Sequence, residues 1–203
     1  MIPTFYGYGM LPKRPNKYIH HRGIKMHVIV LLLAVAAVWY FVAWRHFHEY
    51  QATIWYMVAM NLLYYFFTAD YRLWTLHSNV GIPPAVIDLL YTFVLFPCTV
   101  MTFLSRYPHQ LGKQMVHTGK WIIIYFVGEW IGCLVGAIHY HHGWSLGWSG
   151  LFLVVMFLML QLHDKRPVLA YGLSVVIIAF LLYWFEVPWL ASNALAEELV
   201  TWN

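Results

Sequence analysis

Residues 121–144, WIIIYFVGEWIGCLVGAIHYHHGW, decide how the rest of the chain is read. Up to Ile138 they are apolar enough and long enough to cross a bilayer, which takes about 20 residues. Glu129 stands in the middle of that run. A carboxylate at bilayer mid-depth costs roughly 2.5–3.5 kcal/mol on insertion scales. Glu129 is therefore expected to face protein or water, with a partner such as Asn61 or a tyrosine hydroxyl. Gly128, Gly132 and Gly136 recur four residues apart and predict a smooth stripe that lets a second helix approach closely. Glu129 and Cys133 form the adjacent row. His139, Tyr140, His141 and His142 follow directly.

The whole chain carries the same message. Of its 203 residues 62% are hydrophobic and only 10% charged, against about 25% charged in a soluble domain. The apolar residues are spread along most of the length, which predicts an all-α, polytopic transmembrane helical bundle over 27–186. A basic arm, 1–26, precedes it, and an amphipathic tail, 187–203, follows. Six apolar helices are expected, near 27–44, 51–69, 84–104, 121–138, 146–162 and from Pro167 to about 186. Pro97 predicts a kink in the third, Pro167 suits the first position of the sixth, and 105–120 reads as a loop.

The net charge of +4 comes largely from Lys13, Arg14, Lys17, Arg22 and Lys25, which predict a cytoplasmic N-terminus at a cell membrane. If all six helices cross, Lys and Arg divide equally between the two faces. If the second or third is re-entrant, five cross, and the basic residues gather with 1–26 and 105–120 on the cytoplasmic side. The expected partners are the lipid bilayer, a lipid-like ligand and a homo- or hetero-oligomeric neighbour. No nucleic acid is expected, because no basic face lies beyond the arm. Cys98 and Cys133 both fall in apolar runs and form no disulfide framework.

Several scattered motifs carry a resemblance. They are Tyr50-Gln51-Ala52-Thr53-Ile54, Met60-Asn61-Leu62-Leu63-Tyr64, Tyr71-Arg72-Leu73-Trp74 and Asp88-Leu89-Leu90-Tyr91. With Phe96-Pro97-Cys98, Glu129-Trp130, His139 to Trp144 and the turn Leu162 to Ala170, the chain resembles a family of small multi-pass membrane proteins of spore-forming Gram-positive bacteria. The resemblance covers about 27–190; it implies a membrane location and a bacterial origin, and it carries no catalytic assignment. The arm before residue 27 is longer than the family pattern.

Four residues are ligand- or ion-binding candidates: Glu129, Asn61, Asp88 and Cys133. Asp88 also suits a helix start, where negative charge is favourable. His139, His141 and His142, joined by His46 and His48 if both turns share one face, are the candidate ligands for a divalent metal. The other reading of these histidines is a polar, aromatic interfacial turn with no metal. The lysines lie outside or at the ends of the apolar runs, which argues against a retinal-type Schiff base. No P-loop, Rossmann or GxSxG signature is present. These features predict a small-ligand- or ion-binding or accessory membrane subunit centred on Glu129. The alternatives are a membrane-embedded lipid enzyme and a structural envelope or spore-membrane component.

Overall fold

The computed structural model describes residues 22–42, 47–77 and 82–188. Residues 1–21, His46 and the tail from 189 lie outside the described residues. Six helices follow in order: α1 (Arg22–Phe41), α2 (Phe47–Phe67), α3 (Pro84–Ser105), α4 (Leu111–Leu134), α5 (Leu146–Lys165) and α6 (Pro167–Trp184). Two short strands, β1 (Trp74–Leu76) and β2 (Ile138–Tyr140), pair antiparallel with Thr75 opposite His139. The all-α expectation missed this ribbon.

Contacts between helix ends show that each helix runs antiparallel to its neighbours in sequence. At one end Thr53 of α2 is 3.0 Å from His163 of α5. There too Lys165 lies 5.5 Å from the Tyr107 ring, and Arg106 lies 4.6 Å from Phe41 at the end of α1. At the other end Arg72 meets Asp88 at 2.6 Å, and Trp144 lies 5.0 Å from Trp74 and 5.1 Å from Phe185. The ribbon closes this second end. α3 packs against α1 and α2, α2 reaches α5, and α5 carries both α4 and α6.

Both α2 and α3 run from one end of the helical assembly to the other. The turn after Ser105 lies at the opposite end from the start of α1; residues 1–21 of the arm, expected on the same face as 105–120, lie outside the described residues.

Among the described residues three helices are long and apolar enough to cross a membrane: α3, α5 and α6. The apolar part of α1, Met26–Phe41, is shorter. Polar residues dilute the other two, with Glu49, Gln51 and Asn61 in α2 and Lys113, Gln114, His117, Lys120 and Glu129 in α4.

In α3 the expected kink becomes a π turn over Tyr91–Leu95, closed by the Phe96 N–H donating to the Tyr91 carbonyl. The Pro97 ring would collide with the carbonyl four residues back in a regular helix. Widening the preceding turn avoids the collision and lets the helix continue.

The largest correction concerns α4, which starts at Leu111, ten residues before the expected start, and ends at Leu134. Its first turns are tied down by long-range bonds. Gln114 Nε2 donates to the Pro108 carbonyl at 2.9 Å, and the His117 ring bonds the Phe103 carbonyl at 3.0 Å. Gly136 is not helical. It takes φ +71°, with its N–H bonded to Cys133 O and the Ala137 N–H bonded to Gly132 O. This paired closure is the Schellman cap, in which a left-handed residue ends the helix.

α6 ends in the same closure with Glu186 at φ +49°. A left-handed non-glycine residue costs roughly 1–2 kcal/mol, part of which is regained by restricting the unfolded chain. Glu186→Gly is therefore expected to raise stability by about 0.5 kcal/mol, seen as a higher thermal midpoint. A lower midpoint would show that the exposed Glu186 side chain contributes more than its backbone costs.

Candidate functional site

The helices enclose a cavity of about 570 Å³, within the range of small-molecule sites. All six contribute walls, among them Ala34 of α1, Met60 of α2, Thr99 of α3, Tyr125 of α4, Phe152 of α5 and Ile178 of α6. Most of the lining is aliphatic or aromatic. Glu129 is the only ionisable Asp, Glu, Lys, Arg or His among the described residues that line it.

Glu129 is not at the middle of its helix. Because α4 ends at Leu134, Glu129 lies five residues from its C-terminus, about 7.5 Å along the axis and beside the ribbon. It is half-buried. Its Oε1 accepts from the Tyr140 hydroxyl at 2.8 Å and the Ser149 hydroxyl at 2.6 Å. Trp144 Nε1 donates to Ser149 Oγ at 2.7 Å, which extends the chain. Ser149 belongs to the first turns of α5, where a helix N-terminus favours an acid. Burial, and then Cys133 and Glu129 beside it, push the Tyr140 phenol up, so it stays a donor. Glu129 Oε2 has no hydrogen-bond partner among the described residues.

The tyrosine partner was expected; Ser149 and Trp144 were not. Twenty residues and a turn separate Glu129 from Ser149, and no spacing rule links them. Asn61 does not reach Glu129, because its Nδ2 donates to Thr92 Oγ1 at 2.7 Å. Asp88 is buried against Arg72, 2.6 Å from its Nη1, and is not among the described residues that line the cavity. Cys133 is a half-buried free thiol beside Tyr140.

The glycines divide. At Gly132 a Cβ would sit 2.7 Å from Ile138 Cδ1 and 3.1 Å from Met26 Cε, whereas at Gly128 it would meet nothing within 4 Å. Gly132 admits the ribbon, Gly128 opens onto the cavity, and Gly136 caps the helix. The predicted stripe against a single helix does not exist.

The histidines divide as well. His77, missed as a candidate, joins His139 and His141 on one face of the ribbon. The backbone bonds His77 N–H to Ala137 O and His141 N–H to Leu73 O extend the pairing past both strands, and alternate residues share a face. The His77 and His139 rings meet edge to face at 4.6 Å, and Thr75 Oγ1 lies 3.0 Å from His141 Nε2. His142, at φ +52°, instead stacks on Tyr71 at 3.6 Å. His48 is in the first turn of α2, at the opposite end of the molecule, so it cannot meet these rings. Among the described residues no group of three or more His, Cys, Asp and Glu is arranged to hold a metal.

Burial, then the positive charge that His77 and His141 can carry, hold His139 below its ordinary value of 6.5. The neutral ring is the form favoured by the fold. Its contribution is complete above the unfolded value and is lost as pH falls through 6.5 toward the lower folded one. Between pH 7.5 and pH 5 the thermal midpoint should fall further for the wild type than for His139→Gln. Equal falls would remove His139 from the pH response.

Comparison of the chain with protein-family models, curated proteins and solved structures returns no match.

Proposed function

We propose that this chain is a multi-pass protein of a bacterial cell membrane that binds a small lipid-like molecule in the cavity beside Glu129. The observation that carries this reading is the 570 Å³ apolar cavity with one carboxyl group in its wall. Intramembrane ionisable groups mark functional sites by default, and the free Oε2 gives Glu129 something to offer.

All six helices cross in this reading, since they alternate in direction. The tight α5–α6 turn and the long apolar runs of α3, α5 and α6 support that arrangement. The cluster from Lys13 to Lys25 supports a cytoplasmic N-terminus. The resemblance to membrane proteins of spore-forming Gram-positive bacteria supports the bacterial origin.

An ion carrier is the weaker reading. The groups on Glu129 are the hydroxyl donors of Tyr140 and Ser149, and among the described residues no second acid lines the cavity. A dehydrated hard cation needs several oxygen ligands, commonly six or more.

The test is mass spectrometry of lipids co-purified with the protein in a mild detergent. The wild type should retain one lipid-like species in near-equal molar amount, and Gly128→Leu, whose side chain would project into the cavity next to Glu129, should lose it. A wild type that carries only bulk membrane lipid in variable amount would contradict the proposal.

A further inference from the structure

The chemistry of the cavity wall narrows the class of molecule it takes. Resting on the reading above, we infer that the ligand is a long-chain lipid whose head is an uncharged hydroxyl, held by Glu129 as hydrogen-bond acceptor.

Three observations combine. The first is the absence of any Lys, Arg or His among the described lining residues. A phosphate or carboxylate head would enter an apolar cavity beside an acid, with no cation to compensate its lost hydration. An unpaired charge in such surroundings is far more costly than a hydrogen-bonded neutral group. This removes phospholipids and fatty acids.

The second is the state of the Glu129 carboxyl. Oε1 is already held from two sides by Tyr140 and Ser149, which fixes its orientation. Among the described residues Oε2 has no donor. A head that brings one O–H group completes the set, and the other polar groups nearby, Ser149, Tyr64 and Trp74, are neutral as well. An ammonium head carries three donors and a larger dehydration cost into a wall with a single acid among the described residues.

The third is the way in. Val30, Leu33, Ala34 and Ala37 of α1 and Trp121, Ile124, Tyr125 and Gly128 of α4 line the same cavity, yet these two helices are not extensively packed together. α1 leans on α3, and α4 leans on α5. In this reading a hydrocarbon tail enters from the side, between these two helices, without passing through water. Gly128, where a Cβ would meet nothing within 4 Å, lines the cavity from α4, and Glu129 follows one residue on.

The experiment compares four probes of equal chain length on the purified protein in detergent: hexadecanol, palmitic acid, hexadecylamine and hexadecane. Binding is read by native mass spectrometry at neutral pH. Hexadecanol should bind about tenfold more tightly than each of the other three, the scale of one or two well-placed hydrogen bonds. Glu129→Gln keeps an acceptor oxygen and should retain the preference for the alcohol. Glu129→Leu should bind hexadecanol and hexadecane equally. Thermal midpoints of both variants report whether they are folded, and the Gln variant carries the test if the Leu variant is not. A preference for the acid or the amine, or equal binding of all four, would overturn the hydroxyl assignment while leaving the cavity a lipid site. Binding of none would overturn both this inference and the function on which it rests.

Discussion

Arg72→Ala is expected to cost the fold about 3 kcal/mol, at the lower end of what breaking a buried ion pair costs. Arg72 follows α2, and its Nη1 meets Asp88 Oδ2 at 2.6 Å. Asp88 is 5% exposed, so without its partner the carboxylate is left dehydrated. The guanidinium also lies 5.3 Å from the Tyr65 ring. The pair ties the end of α2 to the start of α3, next to the Asn61–Thr92 bond and the bond from Thr92 Oγ1 to the Asp88 carbonyl. Asp88→Asn should cost less, because it removes the charge together with the need to compensate it. Denaturation of the single and double variants checks this. Arg72→Ala combined with Asp88→Asn should be more stable than Arg72→Ala alone; equal values would mean that the pair is solvated rather than buried.

Gly132→Leu and Gly128→Leu, one helical turn apart, should behave in opposite ways. At position 132 even a Cβ would sit 2.7 Å from Ile138 and 3.1 Å from Met26, and the remaining leucine atoms would push the ribbon off α4. Overpacking of this kind costs about 1–3 kcal/mol, and the upper end is expected because the ribbon also carries Tyr140, a donor to Glu129. At position 128 a leucine meets open space and gains about 1 kcal/mol of helix propensity over glycine. Gly128→Leu should therefore match or exceed the wild type in thermal midpoint and still lose its ligand. Similar losses of stability at both positions would restore the simple stripe.

These glycines also show what the sequence makes legible and what it does not. The spacing of 128, 132 and 136 is real, but it says only that small residues recur. Which one meets a neighbour, which faces space and which ends the helix depends on where α4 stops, and the cap bonds at Val135 to Ala137 decide that. Helices carried by strong local signals were readable. Pro167 opens α6 as expected, and α2 and α3 begin and end close to their predicted limits.

The segment 111–120 was not readable, because its polar composition and two glycines look like a loop. It is helical through bonds to residues 103–109, which no local pattern announces. The ribbon was hidden for a different reason: three-residue strands are too short to show an alternating pattern. Without the ribbon, His77 looks like a loop residue and Glu129 stands at the middle of a helix that runs on to Ile138. The acid itself was legible, since a lone carboxylate in an apolar run stands out in any sequence. Its partners Ser149 and Trp144 were not, because they come from another helix.

An experimental density map of the protein in lipid nanodiscs tests the central claim most directly. It should show an elongated, non-protein density between α1 and α4, with one end within hydrogen-bonding distance of Glu129 Oε2. A cavity closed by its own side chains, with Glu129 turned away from it, would contradict the account.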